Sequence, residues 1–212
     1  MQPVFITGIG TDVGKTVVSA IVTEALRADY WKPVQAGYDD GTDSEWVTRM
    51  LTNKISRVHP ELFRLKMAAS PHIAAKEEKI TISVKKIAER YNQFAGDNQY
   101  LIIEGAGGLM VPLNENEFVS DLIKQLQAKV ILVSRNYLGS INHSLLTAAV
   151  CKQYELDVAG WIFNDNYMHY EEQIVQWTGY PKIGSVNYIP EPDKLFIKTN
   201  AENIRQRLME LL

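Results

Sequence analysis

Short apolar runs recur along the chain, and most are followed by a longer stretch in which apolar residues return every three or four positions. The runs from Val4 to Thr7, Tyr30 to Val34, Tyr100 to Glu104, Val130 to Ser134, Val158 to Asn164 and Ile183 to Val186 predict strands. The intervening periodicity predicts helices from Gly14 to Arg27, Ser44 to Leu51, Ser83 to Phe94, Val119 to Gln127, Ile141 to Tyr154, Tyr170 to Thr178 and Ala201 to Leu212. Runs rich in Val, Ile and Leu that alternate with helices imply strands covered on both faces. The expected fold is therefore α/β, in three layers, with a mostly parallel sheet between helices.

Composition narrows the class. With 212 residues and 46% apolar content, the chain has enough material for one full core, so residues 1–212 are expected to form a single domain. A net charge of -3 supplies no basic field, and nucleic acid is not an expected partner. No apolar run reaches the ~18 residues that a membrane span needs, and none resembles a leader, so a cytoplasmic protein without a membrane partner is expected. The lone cysteine, Cys151, follows Ala148, Ala149 and Val150 and is expected to be a buried small residue in a reducing compartment.

The first strand leads into Gly8-Ile9-Gly10-Thr11-Asp12-Val13-Gly14-Lys15-Thr16, and a helix begins there. A glycine-rich turn between strand and helix lets backbone N–H groups crowd around phosphate oxygens. Lys15 can reach terminal phosphates, and the Thr16 hydroxyl can ligate Mg²⁺ at the positive end of the helix. The fold expectation sharpens to a P-loop NTPase. The ordinary spacing would put glycine at position 9, where this chain has Ile9, and Gly8 falls one residue early, so the loop is longer by one.

In open α/β sheets, ligands sit beyond the carboxyl ends of the strands. Glu104 ends its strand and precedes Gly105, Ala106, Gly107 and Gly108, which puts a carboxylate beside the phosphate loop as a Mg²⁺ ligand. Asp43 is the preferred second ligand from its polar loop, with Asp39 and Asp40 as rivals. Lys32, fixed by Pro33 as its strand leaves the sheet, would face the phosphates and with Lys15 bracket a transferring phosphoryl group. Ser70-Pro71-His72 reads as a cap, a first helical residue and a histidine that could face a ligand. Leu138 to His143 opens another helix, whose free N–H groups suit a carboxylate.

Five blocks in order give the chain a resemblance to the dethiobiotin synthetases over nearly its whole length: Gly10 to Thr16, Lys32 to Gln35, Ser70 to His72, Glu104 to Gly108, and Gly139 to His143. The lengthened P-loop belongs to that family's pattern. The resemblance implies an ATP-dependent homodimeric enzyme in which 7,8-diaminononanoate takes up CO₂ as a carbamate. ATP phosphorylates the carbamate, and the second amine closes the ring to give dethiobiotin, ADP and phosphate. It implies Lys32, Lys15 and Thr11 as catalytic residues and Asp12, Val13, Gly14, Lys15, Thr16 and Val17 as ATP contacts. Asp43, Glu104, Gly105, Ala106 and Gly107 join these contacts, with Thr16, Asp43 and Glu104 holding Mg²⁺. Asn164 and Asp165 would read the adenine, and Ile189, Pro190 and Glu191 would line the nucleoside. Thr11 and Ala36 would meet the diamine, and Ser140, Ile141 and Asn142, with Tyr170, would hold its carboxylate tail near the subunit interface. Ala36 departs from the family, which usually has Ser or Thr there.

Three other readings compete, the blandest being a small nucleotide-binding protein without chemistry, against which the Lys32 block and the glycines after Glu104 argue. Dimeric partitioning or septum-positioning ATPases carry an extra lysine one residue after the first loop glycine, where this chain has Ile9. Amidoligases related to the cobyrinate amidating enzymes need an appended glutaminase domain and a nucleophilic cysteine, for which Cys151 has no suitable setting.

Overall fold

The computed structural model describes residues 1–94, 96 and 98–212. Its first strand, β1 (Gln2–Gly8), runs through the P-loop into helix α1 (Lys15–Leu26). Then come β2 (Asp29–Trp31), β3 (Val34–Ala36), α2 (Asp43–Met50), β4 (Val58–His59), β5 (Phe63–Leu65), α3 (Pro71–Glu77) and α4 (Val84–Tyr91). The second half holds β6 (Tyr100–Glu104), α5 (Val119–Leu126), β7 (Lys129–Arg135), α6 (Ser140–Gln153), β8 (Val158–Asn164), α7 (Glu171–Thr178), β9 (Lys182–Val186) and α8 (Lys194–Leu211).

Seven strands form one sheet in the order β4-β2-β6-β1-β7-β8-β9, every neighbouring pair parallel. Successive side chains point to opposite faces. Val4, Ile6, Tyr30, Ile102, Ile131 and Ile162 therefore pack beneath α1 and α8, whose Val18, Ile21, Ile197, Ile204 and Leu208 fill that side. Phe5, Trp31, Leu101, Ile103, Leu132 and Phe163 face the other way, onto Ile87 of α4, Leu122 of α5, Cys151 of α6 and Ile174 of α7. These are the three layers of the expected fold. Its strands run in the order the connections require, with β1 in the middle and the chain turning from one half of the sheet to the other around it.

Several boundaries differ from the sequence expectation. The run from Tyr30 to Val34 splits into β2 and β3, because Pro33 has no N–H to give a ladder. β3 leaves the main sheet and pairs with β5 instead. β4 and β5, only two and three residues long, were not expected; so short a run carries no readable alternation. α8 begins at Lys194 rather than Ala201, with the Asp193 side chain accepting from the Phe196 N–H at 2.8 Å as its cap. Its first turn buries only Ile197, which leaves the periodic pattern thin.

Candidate active site

A cleft of about 840 Å³ opens at the carboxyl ends of β1, β2 and β6, walled by the P-loop, by residues 34–36 and 68–71, and by the turn after Glu104. The loop at its floor is held in place from below. Gly14 has φ of +91°, and a Cβ there would lie 2.1 Å from Asn164 Nδ2, so only glycine lets the loop close onto the end of β8. Asn164 also donates to the Val13 carbonyl at 3.1 Å. Lys15 curls back so that Nζ donates to the Gly10 carbonyl at 2.7 Å.

Glu104 is the hub. It is 1% exposed at the end of β6, yet every oxygen is engaged. Oε1 accepts from the Thr16 hydroxyl at 2.8 Å and from Lys32 Nζ at 2.9 Å, and Oε2 accepts from the Tyr30 hydroxyl at 2.8 Å. Lys32 in turn pairs with Asp43. Asp43 occupies the first turn of α2, which Thr42 and Glu45 close with a capping box, and its backbone N–H donates to Gln35 Oε1 at 3.2 Å.

These contacts set the charges. Burial works against the Lys32 ammonium, but Glu104 and Asp43 outweigh it and hold its pKa above the ordinary lysine value. Lys15 lacks such a close partner. Burial, abetted by the Lys32 charge and only partly opposed by Glu104, pulls it down to about 8. The Tyr30 phenol is pushed well up by burial and by the Glu104 charge, so it stays a hydrogen-bond donor.

The cleft thus gathers Thr11, Asp12, Gly14, Lys15, Thr16, Val17, Lys32, Ala36, Asp43, Glu104, Ala106 and Gly107 from among the expected site residues. Asp39 and Asp40 are exposed outside it, and of the three acids Asp43 is the one that lines the cleft. Val13 turns its side chain into the core, leaving only its backbone for a ligand. The Gly105 N–H is committed to the Ile6 carbonyl at 2.9 Å, and a Cβ there would press on the Phe5 ring. Asn164, Asp165, Ile189, Pro190 and Glu191 lie outside the cleft wall, although Asn164 reaches the loop from behind.

The third block is corrected in part. Ser70 and Pro71 line the cleft, with Pro71 at the first helical position, but Ser70 makes no side-chain cap bond. Its hydroxyl lies 3.0 Å from His72 Nδ1, and His72 faces a different cavity, beside Ile82 and Asn114. Ser140, Ile141, Asn142 and Tyr170 also stand apart from the cleft. Ile141 and Tyr170 line a shallow depression with Leu138, Tyr167 and Met168, and Asn142 is exposed nearby. The Ser140 and Tyr170 hydroxyls are 2.5 Å apart within one chain, and Tyr170 donates to the Tyr137 carbonyl at 2.8 Å. Gly139, not Asn142, holds the N-cap position of α6 and offers no side chain to close it.

Sequence reasoning missed Tyr30 and Gln35, which orient Glu104 and Asp43. The available signal was their place on either side of Lys32-Pro33, since a side chain two residues from a strand end shares its neighbours' face.

The donor set suits a hard divalent cation. Two carboxylates and a hydroxyl converge, and Mg²⁺ takes one or two carboxylates with the remaining positions filled by phosphate and water. Among the described residues no group of three or more His, Cys, Asp or Glu side chains is arranged as a protein-only metal cage. Among the described residues no helix is long and apolar enough to cross a membrane.

Comparison with known proteins assigns the architecture. A family model described as an AAA domain matches residues 2–194. The septum site-determining protein MinD complexed with Mg-ADP from Pyrococcus horikoshii superimposes with a TM-score of 0.61, covering 99% of this chain and 93% of that one. At 15% identity that likeness speaks for the P-loop fold alone. Sequence relatives are far nearer. The ATP-dependent dethiobiotin synthetase BioD of Christiangramia forsetii is 45% identical over 98% of both chains, and that of Cytophaga hutchinsonii is 50% identical over 85% of both. With a P-loop cleft and relatives of this closeness along nearly its whole length, the chain belongs to the family of ATP-dependent dethiobiotin synthetases.

Proposed function

We propose that the cleft joins 7,8-diaminononanoate, CO₂ and ATP into dethiobiotin, ADP and phosphate, making the chain an ATP-dependent ligase of biotin biosynthesis. The observation that carries this is the convergence of Thr16, Lys32, Asp43 and Glu104 beside Lys15 in a cleft large enough for two substrates. One amine of the diamine adds to CO₂ and loses a proton. The carbamate oxygen then attacks the γ-phosphorus, ADP departs, and the second amine attacks the carbamate carbon to expel phosphate and close the ring.

Two anions must meet in this reaction, so the protein's task is to bring positive charge to the junction. Lys32 keeps its proton because Glu104 and Asp43 hold it, and lies where the carbamate would approach. Lys15 regains full charge once phosphate oxygens face it, since an anion opposes the effect of burial. Thr16, Asp43 and Glu104 would hold Mg²⁺, which supplies charge neutralisation on the phosphates when bound. The mixed anhydride passes the carbamoyl group straight to the second amine, so no side-chain nucleophile is needed. The Ala36 methyl leaves a family hydroxyl contact to Gln35, to the backbone or to water. Thr11 stands exposed at the cleft rim, where it would meet the diamine.

The diamine's carboxylate tail would be taken by Ser140, Ile141 and Asn142, with Tyr170, of a second subunit. That completes a homodimeric site in a single-domain cytoplasmic enzyme. Asn164, Asp165 and the Ile189-Pro190-Glu191 segment would attend the nucleoside.

The test is ADP release by the purified chain with diaminononanoate and bicarbonate, against controls lacking either. Release that requires both, together with dethiobiotin, is expected. Equal release without the diamine would favour a plain ATPase.

A further inference from the structure

The proposed reaction sheds protons, and the phosphate grip offers no free base to collect them. Closing the ring leaves a surplus proton on the attacking nitrogen. Of the acids that line the cleft, Asp43 and Glu104 are paired with Lys32, and Asp12 belongs to the phosphate loop. The opposite wall holds a different pair. A Cβ on Gly37, just past β3, would lie 2.7 Å from the Ala68 Cβ, so residues 68–71 sit against the end of that strand. Ser70 therefore shares a wall with Ala36, the residue expected at the diamine.

Ser70 holds the N-cap position of α3, yet its side chain accepts from no helix N–H and forgoes the stability a serine cap ordinarily brings. Its hydroxyl lies instead 3.0 Å from His72 Nδ1, and among the described residues Ser70 is the one hydrogen-bond partner of that imidazole. The two residues open onto different spaces. Ser70 lines the cleft, whereas His72 lines a second cavity of about 810 Å³ between the end of α3 and residues 113–117. Lys76, Lys79, Glu115 and Glu117 are the charged groups that share this cavity with the ring. Glu117 accepts from the Val84 N–H at 3.2 Å and from the Asn114 amide, and Glu115 is exposed.

A hydroxyl in one space bonded to an imidazole in the other is a path for a proton through the wall. We propose that Ser70 and His72 carry the surplus proton of ring closure out of the cleft, with His72 acting through Ser70. This rests on the carbamate reaction proposed above. The second amine attacks the carbamate carbon, the C–N bond forms, and the C–O bond to phosphate breaks with its electron pair leaving on phosphate. The nitrogen passes its proton to Ser70 Oγ as the Ser70 hydroxyl proton moves to His72 Nδ1. The imidazolium then yields a proton to solvent on the side of the second cavity.

The test is dethiobiotin formation by the full chain, followed both in the first turnover and at steady state. His72→Asn keeps a hydrogen-bond partner for Ser70 but no group that takes up a proton, and should lower kcat about a hundredfold. Ser70→Ala should lower it as much and the double variant no further, because the pair works as one unit. Ser70→Thr retains the hydroxyl and should stay within about threefold of the unaltered rate. The KM for ATP and for the diamine, and the melting temperature, should hold throughout. Free imidazole should return part of the rate to His72→Ala, a rescue that a loosened fold does not give. A normal rate in His72→Asn overturns the relay, even if Ser70→Ala is slow. So does a loss confined to the diamine KM, which would mark packing of the wall, and so do slow variants that melt early and ignore imidazole. If the unaltered chain forms no dethiobiotin, the reaction itself fails; if it forms dethiobiotin no faster than His72→Asn does, the relay alone fails.

Discussion

The cleft and the depression at the start of α6 each offer polar groups at the head of a helix, but they are assembled on opposite terms. In the cleft, Glu104, Lys32 and Lys15 are all buried and held by the chain itself, Lys32 donating to Glu104 and Lys15 to the Gly10 carbonyl. Around the depression, Leu138 is 87% exposed and Met168 72%, and both Met168 and His169 adopt left-handed backbone conformations. Such residues are seldom left open to water in a group without a covering surface. The contrast would divide the labour: the residues proposed for phosphoryl transfer are bonded within one chain, whereas the site proposed for the substrate tail would need a second subunit to cover it.

The sharpest way to break that division is at the P-loop. Lys15→Ala should lower kcat by about a hundredfold or more while shifting the melting temperature little, because Lys15 bonds to a loop carbonyl and props no apolar core. Near-normal ADP production by a folded variant would refute the wiring. Next is Glu104→Gln, which removes the charge shared by Thr16, Lys32 and Tyr30; the Mg²⁺ needed for half-maximal rate should rise on the order of tenfold or more. Asp43→Asn should move the same way and Asp39→Asn should not, as Mg²⁺ titrations of the three will tell.

Tyr30→Phe is a gentler probe. It strips one hydrogen bond from a buried carboxylate, and should cost roughly 1–3 kcal/mol in denaturant unfolding and raise the Mg²⁺ requirement by less than Glu104→Gln does. A variant unchanged in both would mean that Lys32 and Thr16 suffice to orient Glu104. The smallest effect belongs to the depression. Asn142→Ala should raise the diamine KM roughly fivefold, one hydrogen bond's worth, with ATP KM and melting temperature unaltered, because Gly139 and not Asn142 caps α6. An early-melting variant with a normal diamine KM would show the residue to be structural and move the tail site elsewhere.

The same contrast explains what the sequence could reveal. Fold layers were legible because Val4, Phe5 and Ile6, like Ile102 and Ile103, fill both faces of a buried strand and leave a continuous apolar run. Lys15, Lys32 and Glu104 were legible because each stands at a strand or helix end with glycine or proline beside it. Tyr30 was not, since an aromatic within an apolar run looks like core, and its hydroxyl is assigned only when β6 lies alongside. Nor was the side taken by His72, one residue past the cleft-lining Pro71, where a rotation of about 100° per residue decides which cavity it meets. Short pieces such as β4 and β5 owe their form to their neighbours rather than to their own residues.

The central position of β1 carries one more implication. It is hydrogen-bonded on both sides, to β6 and to β7, and both its faces are covered, whereas β4 and β9 lie at the rims of the sheet. In amide exchange the protons of β1 should be among the last to yield to deuterium, and those of the rims among the first. Fluctuations that loosen an edge thus leave the root of the P-loop standing: the phosphate grip hangs from the part of the molecule that opens last.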